Sequence, residues 1–147
     1  MRVREARWGD DRDRRILRRI REVVFIDEQR VARPEEFDGL DLWARHFIAE
    51  GGAAGPPEPV GVARLRFLED GTPKAERFAV LPAHRGAGAG RALVAAVERA
   101  AWSAGGRRVV LAAQLRAVVF YERLGYRVAG EPFVEAGIRH AMMSKDL

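Results

Sequence analysis

The sequence predicts one domain of the α/β (α+β) class, in which helices cover a mixed, mostly antiparallel sheet. The length of 147 residues is that of a single domain spanning residues 1–147. Apolar runs separated by glycine- and proline-rich turns predict antiparallel strands in the first half of the chain. A strand, a glycine-rich loop, a helix and another strand follow between residues 74 and 113. This order predicts a parallel crossover unit.

The first half of the chain is predicted to form a strand, a helix and three further strands. Residues 2–6 make a short first strand, and acidic residues from Asp10 onward can cap a helix whose apolar residues recur at helical spacing as far as Val24. Residues 25–41 are predicted to be an irregular, acid-rich connection. Residues 43–50 and 60–68 form a hairpin through the turn at 51–59, and residues 74–81 add the next strand.

The second half is predicted to contain two helices and three strands. The helix at residues 91–102 has an apolar side and ends at Gly105 and Gly106. Residues 108–113 have the composition of a buried strand. A short helix follows at residues 117–124, and strands at residues 126–129 and 138–144 close the sheet.

The loop before the longer helix has the properties of a phosphate site. Gly86, Gly88 and Gly90 alternate with alanines there, and glycine lets a ligand approach the main chain closely. The first N–H groups of a helix lack intrahelical partners, and the helix dipole favours an anion at this end. Arg85 and Arg91 add positive charge on either side, so we expect this loop to hold a phosphate group.

The spacing of the glycines excludes two common phosphate motifs. A dinucleotide fingerprint needs a third glycine where this chain has Arg91 or Leu93. A P-loop needs Gly-Lys-Ser/Thr, whereas the chain has Gly90-Arg91-Ala92. The pattern Arg85-x-x-Gly88-x-Gly90 instead resembles the Q/R-x-x-G-x-G/A pyrophosphate loop of the GCN5-related N-acetyltransferase (GNAT) family, which binds acetyl-CoA.

Two further segments resemble the same family. The run from Gln114 through Phe120-Tyr121 to Gly125-Tyr126 is similar to its N-x-x-A-x-x-F-Y-x-x-x-G-F block, with Gln114 in place of the usual asparagine. Independently, the segment Phe25-x-x-Glu28-Gln29, followed by Asp38, Asp41 and His46, resembles the ElaA-like bacterial subgroup. Together these segments extend the resemblance over most of the chain.

The resemblance implies a GNAT fold. The sheet would have six or seven strands, splayed after the fourth strand and flanked by about four helices, with acetyl-CoA lying in the gap. Main-chain groups near Ala79 and Val80 would bind the pantetheine and the thioester carbonyl, and the N–H groups from Arg85 to Arg91 would hold the pyrophosphate. Tyr121 would act as the general acid for the leaving thiolate. The cofactor-binding residues so implied are Phe78, Ala79, Val80, Arg85, Gly86, Ala87, Gly88, Ala89, Gly90, Arg91, Gln114 and Tyr121.

The residue types favour direct transfer of the acetyl group to an amine. The chain has no cysteine, and no serine stands in a G-x-S-x-G setting, so a covalent intermediate has no obvious nucleophile. An amine with a lysine-like pKa must first lose a proton, at a cost of about 4 to 5 kcal/mol at neutral pH. Glu76 is the first candidate for the base, because it lies two residues before Phe78 and can point into the cleft.

The sequence also offers alternative bases, candidate acceptor-binding residues and structural roles for Glu76 and His140. Glu28 and His140 are alternative bases. Glu28, Asp38 and His140 are also the candidate acceptor-binding residues, since an acid-rich segment suits a cationic amine. Glu76 could instead belong to a cross-strand ion pair with an arginine, and His140 could be a hydrogen-bonded edge residue.

Composition limits the partners. The net charge is +5 and the sequence pI is about 10.6, but the arginines are interleaved with acidic residues, so we expect no nucleic-acid partner. No apolar run reaches membrane-spanning length, and the absence of cysteine is typical of a cytoplasmic protein. The three histidines are too far apart in sequence to suggest a metal site. We expect a monomer or a homodimer.

Two other functions remain possible on the sequence. A catalytically silent acyl-CoA-binding regulatory protein would keep the glycine loop, and the departure at Gln114 favours this alternative. A basic nucleic-acid-binding module is suggested only by the number of arginines, and it predicts strongly salt-dependent binding to DNA or RNA.

Overall fold

The computed structural model describes residues 1–52 and 55–147, which contain seven strands and four α-helices. The predicted turn at 51–59 includes residues 53 and 54, which lie outside the described residues. A π-helical turn (Glu22–Glu28) continues the first helix. The elements are β1 (Arg2–Ala6), α1 (Asp11–Arg21), α2 (Arg33–Glu36), β2 (Arg45–Gly51), β3 (Glu58–Phe67), β4 (Pro73–Val80), α3 (Ala89–Ser103), β5 (Arg108–Gln114), α4 (Val118–Arg123), β6 (Arg127–Glu135) and β7 (Ile138–Asp146).

The strands form one sheet in the order β1-β2-β3-β4-β5-β7-β6. Every neighbouring pair is antiparallel except β4 and β5, which run parallel because α3 carries the chain from one to the other. Apolar residues of α3 and α4 fill one face of the sheet, and those of α1 fill the other. The predicted class, a mixed and mostly antiparallel sheet flanked by about four helices, is confirmed.

The sheet opens between its two parallel strands. Only two residue pairs join β4 to β5, Lys74 with Val110 and Ala75 with Leu111. The remaining residues of β4, from Glu76 to Val80, have no partner on β5 within the described sheet. The expected splay after the fourth strand is therefore confirmed.

A β-bulge lies in β4 at the point where the sheet opens. Three residue steps on β4, from Glu76 to Ala79, match two steps on β3, and Arg77 has a φ of +59°. The guanidinium of Arg77 donates to the carbonyl of Glu36 at 3.3 Å, which holds this uncommon conformation. The extra residue shifts the alternation, so Phe78 packs on the α3 face while Ala79 packs on the α1 face.

Three element predictions need correction. The connection at residues 25–41 is more ordered than expected, since it contains the π-helical turn and α2. The longer helix begins at Ala89 rather than Arg91, because Gly88 takes the left-handed N-cap position. The strand predicted at residues 126–129 extends to Glu135; β6 is an edge strand with no buried residue, so its sequence lacks the apolar alternation that would have marked its length. Among the described residues, no helix has the length and apolar character needed to cross a membrane.

Candidate active site

The opening between β4 and β5 is a cleft of about 1080 Å³. Its walls come from both strands, the start of α3, α4, the π-helical turn and α2. The cleft brings together most of the residues predicted from sequence: Asp38, Glu76, Phe78, Ala79, Val80, Arg85, Gly86, Gly88, Ala89, Gly90, Arg91, Gln114, Tyr121 and His140. Ala87 lines a neighbouring depression instead, and Glu28 contacts the cleft only through Arg85.

The glycine loop presents unbonded main-chain donors. No backbone N–H group from Gly86 to Arg91 has an acceptor in the part of the chain that the structure describes. These groups lie where α3 begins, so the helix dipole adds to their attraction for an anion. The loop therefore has the chemistry of a site for a diphosphate.

The three glycines serve two different purposes. Gly86 and Gly88 have φ values of +83° and +92°, which other residues rarely adopt, and a Cβ at either would meet no atom within 4 Å. A Cβ at Gly90 would instead come within 3.2 Å of Phe120 Cζ. Gly86 and Gly88 thus allow the turn of the loop, while Gly90 allows α3 to pack against α4.

Two side-chain bridges run from the π-helical turn to other walls of the cleft. Arg85 donates to both Glu28 oxygens at 2.8 and 2.7 Å, and its Nε donates to the carbonyl of Val80 at 3.0 Å. The Gln114 amide donates to Gln29 at 2.8 Å. The extra residue of the π-helical turn, in which Gln29 N–H bonds the carbonyl five residues back, brings both side chains to this position.

Tyr121 lies in an aromatic cluster at the inner end of the cleft. Its ring makes edge contacts with those of Phe78, Phe120 and Tyr126 at centroid distances of 5.9, 5.0 and 5.9 Å. Its hydroxyl has no hydrogen-bond partner among residues 1–52 and 55–147, yet the protein does not seal that oxygen from the cleft. Burial raises the pKa of Tyr121 well above its usual value, so this phenol keeps its proton at neutral pH.

Glu76 belongs to a cross-strand ion network. Arg64 lies opposite it on β3 with Nη2 at 3.0 Å, Arg66 donates to the same carboxylate, and Lys74 Nζ is 3.8 Å away. Burial would raise the pKa of Glu76, but the hydrogen bond from Arg66 and the nearby positive charges hold it below its usual value. A carboxylate held in this way is a weak proton acceptor.

Asp38 is held by arginines as well. Arg64 donates to both of its oxygens at 3.0 and 2.9 Å, and Arg77 donates at 3.2 Å. Burial works against ionisation here, but the hydrogen bond from Arg64 and the N–H of Leu40 keep the pKa of Asp38 well below its usual range. Both oxygens of this carboxylate are therefore occupied by protein donors.

His140 lies on β7 opposite Gln114 and is buried. Its Nδ1 pairs with the carbonyl of Ile138 at 2.7 Å, and its ring stacks on Phe133 with 5.8 Å between centroids. The second nitrogen lies 4.0 Å from Glu135. In the described ranges, no three potential ligand side chains are grouped as a metal site requires.

The sequence of this chain matches a known protein family. Residues 47–147 match the family model described as the Acetyltransferase (GNAT) domain, which is more than half of the chain. The chain belongs to the GNAT family. It is thus an acyltransferase by family, and the resemblance inferred from the glycine loop is confirmed.

Relatives of this GNAT protein agree over nearly the whole chain. The uncharacterized N-acetyltransferase YjcF of Bacillus subtilis (strain 168) is 43% identical over 128 residues, which cover 86% of this chain and 88% of that protein. An acyl-CoA N-acyltransferase structure from Pseudomonas aeruginosa is 25% identical, with a TM-score of 0.83 over 99% of both chains. Escherichia coli ElaA is 24% identical and has the same fold, with a TM-score of 0.82 over 99% of both chains.

One cleft residue of this GNAT protein was missed by sequence reasoning. Glu36 lines the cleft, is only 3% exposed, and pairs with Arg21 and Arg77. In the sequence it is one of several acidic residues between 27 and 41, and nothing in the residue types separates it from Glu35. Only the end of α2, which turns Glu36 inward and leaves Glu35 exposed, distinguishes the two.

Proposed function

We propose that this GNAT protein transfers an acetyl group from acetyl-CoA directly to a primary amine of a small molecule or a protein. The observation that carries this proposal is the continuous cleft that leads from the unbonded amides of residues 86–91 to the hydroxyl of Tyr121. A diphosphate on those amides would direct the thioester end of the molecule toward the bulge in β4. The fold, with its gap between β4 and β5, supports this placement.

Different residues of the cleft would bind acetyl-CoA and donate a proton to its leaving thiolate. Main-chain groups of Phe78, Ala79 and Val80 lie along the open edge of β4, where they would bind the pantetheine and polarise the thioester carbonyl. Tyr121 would donate its proton to the leaving thiolate, because its hydroxyl faces the cleft without a hydrogen-bond partner among the described residues and keeps its proton at neutral pH. The acceptor would enter from the side formed by α2 and β7. The predicted cytoplasmic location fits a protein that uses acetyl-CoA, and it stays a prediction.

A binding experiment tests the donor half of the proposal. Acetyl-CoA should raise the melting temperature of the parent protein, because a ligand that binds only the folded state stabilises it. Gly88→Glu should abolish that shift, since its carboxylate would occupy the phosphate position. If the parent shows no shift at millimolar acetyl-CoA, the proposal fails.

A turnover experiment tests the transfer itself. Release of free CoA is followed with a panel of primary amines, for the parent, for Tyr121→Phe and for the control Tyr126→Phe. Tyr126 donates to Glu98 at 2.9 Å, outside the cleft, so its loss tests only packing and stability. Tyr121→Phe should lower turnover by about 100-fold with nearly unchanged acetyl-CoA binding. Clear binding without CoA release from any amine would favour the regulatory alternative.

A further inference from the structure

Glu36 has one occupied and one free carboxylate oxygen. Its Oε2 accepts a hydrogen bond from Arg21 Nε at 2.7 Å and lies 3.2 Å from Arg77 Nε. No described residue donates to Oε1, and that oxygen is not sealed off by the protein. Since the residue lines the cleft, the free oxygen is the one that a bound molecule can reach.

The main chain of Glu36 is fixed at the same place. Its carbonyl accepts from Arg21 Nη2 at 2.9 Å and from Arg77 Nη2 at 3.3 Å. Arg77 forms the bulge of β4, and the next residue, Phe78, contacts the ring of Tyr121. Glu36 is therefore anchored beside the segment that would hold the thioester, across the sheet from the proposed acid.

The other carboxylates of the cleft lack this combination. Asp38 and Glu76 have both oxygens bound to arginines, whereas the carboxylates of Glu35 and Glu135 are exposed and accept no hydrogen bond from a described residue. Burial raises the pKa of Glu36, and the charges of Arg77, Arg21 and Arg64 offset only part of this rise. The pKa values of Asp38 and Glu76 are shifted in the opposite direction. Glu36 is therefore a stronger base than Asp38 or Glu76.

We propose that Glu36 binds the ammonium group of the acceptor at Oε1 and removes its first proton. This inference rests on the proposed acetyl transfer and names its base. The acceptor is then a cationic primary amine, because an ammonium group gives the free oxygen both a hydrogen-bond donor and an opposite charge.

The protons and electron pairs balance in this scheme. The ammonium gives one proton to Glu36, and the freed lone pair of the nitrogen forms the bond to the acetyl carbon. The carbon–sulfur bond breaks, and the sulfur receives a proton from Tyr121. The nitrogen then loses its second proton, which replaces the one that Tyr121 gave, and Glu36 releases its proton to solvent.

The pH dependence of the parent enzyme tests the proposal without any mutation. If the protonated amine binds and an ionised Glu36 deprotonates it, kcat/KM for ethylamine stays flat between the pKa of the carboxylate and that of the amine. If the enzyme instead captures the small neutral fraction without a base, kcat/KM rises about tenfold per pH unit up to the pKa of the amine. A rise of that kind would overturn the proposal and leave the acetyl transfer intact.

Glu36→Gln, with Glu35→Gln as its matched control, tests the residue. Glu36→Gln should lower kcat with ethylamine by about 100-fold and convert the flat profile into the rising one. The loss should be much smaller with trifluoroethylamine, whose amino group is already neutral near pH 7. Acetyl-CoA affinity should be unchanged, and Glu35→Gln should match the parent in all measurements.

The remaining results of the Glu36 experiments also decide the proposal. A flat profile in Glu36→Gln would show that another group is the base. If Glu36→Gln does not fold, Glu36→Asp replaces it. This variant keeps the charge but shortens the reach, so it should lose activity with ethylamine yet retain the flat profile. Failure of the parent to release CoA with either amine removes the proposed function, and the role of Glu36 with it.

Discussion

Arg64 of β3 lies directly opposite Glu76 of β4, and the same guanidinium also binds Asp38 and Asp41 at 2.9 and 3.0 Å. Arg64 is 1% exposed, so this ion network is buried between the sheet and the segment that carries α2. Asp41 in turn binds Arg21, the partner of Glu36, at 2.6 Å. The position of the proposed base therefore depends on a chain of charges that begins inside the sheet.

Glu76→Gln should lower stability far more than activity. Removing this charge takes one buried carboxylate from Arg64, which keeps Asp38 and Asp41, and takes from Arg66 the carboxylate that it binds, so it should cost about 1 to 3 kcal/mol of unfolding free energy in urea titrations. Turnover should stay within about threefold of the parent, since a carboxylate with a lowered pKa contributes little as a base. Glu5→Gln is the control, because Glu5 pairs with Arg45 across exposed strands and should cost less than about 1 kcal/mol. A large loss of turnover with normal stability would restore Glu76 as the base.

Acid should unfold the protein partly through Asp38. The folded pKa of Asp38 lies below its ordinary value of 3.8, so its stabilising effect is complete above that value and is lost as the pH falls through the folded pKa. Asp38→Asn should be less stable than the parent at neutral pH and should lose less stability on acidification. Glu36 has the opposite sign, since a raised pKa makes protonation favour the folded state. Urea titrations at several acidic pH values give the slope of stability against pH for the parent and for Asp38→Asn. Parallel curves for the two proteins would contradict this account.

Gly88→Ala should separate backbone strain from ligand binding. Gly88 and Gly71 have φ values of +92° and +88°, and a Cβ at either position meets no atom within 4 Å. Each alanine should therefore cost about 1 to 2 kcal/mol through the left-handed conformation alone. Only Gly88→Ala should also weaken acetyl-CoA binding in calorimetry, because Gly71 lies in the turn between β3 and β4. Equal affinities of the two variants would remove the loop from the phosphate site.

Glu28→Gln should strengthen acetyl-CoA binding. The carboxylate of Glu28 neutralises Arg85 beside the proposed phosphate site, and both groups are partly exposed. An exposed ion pair is worth up to about 1 kcal/mol, so freeing Arg85 should improve the dissociation constant by up to about fivefold. Glu22→Gln, which breaks the similar exposed pair with Arg33, should leave the affinity unchanged. Weaker binding by Glu28→Gln would mean that Glu28 itself orders the loop.

The parts of the fold that were predicted from sequence depend on local signals. The strand at residues 2–6 was predicted with the observed bounds, and the predicted start of the helix after the glycine loop lies two residues from the observed one. Both predictions succeed because apolar alternation and glycine spacing are short-range patterns. The bulge at Arg77 has no such signal. Arg77 has a φ of +59°, and its side chain is held by residues about 40 positions earlier in the chain, which no local pattern shows.

In the candidate site, too, local sequence patterns were predictive and long-range contacts were not. The proposed cofactor-binding residues were predicted from short motifs, and the cleft contains nearly all of them. The choice of base did not follow, since Glu28, Glu36, Asp38 and Glu76 differ little as residue types. Their differences arise from burial and from which arginines each one meets, and those partners are set by strand register and by the packing of α2.

Only two residue pairs, at one end, join β4 to β5, so the sheet consists of two halves that are connected along a short part of their facing edges. A molecule that bonds both inner margins would supply the contacts that a neighbouring strand normally provides. The bound substrate would then take the place of a strand between the two halves of the sheet. The free energy of unfolding would therefore increase with the fraction of protein molecules that carry it.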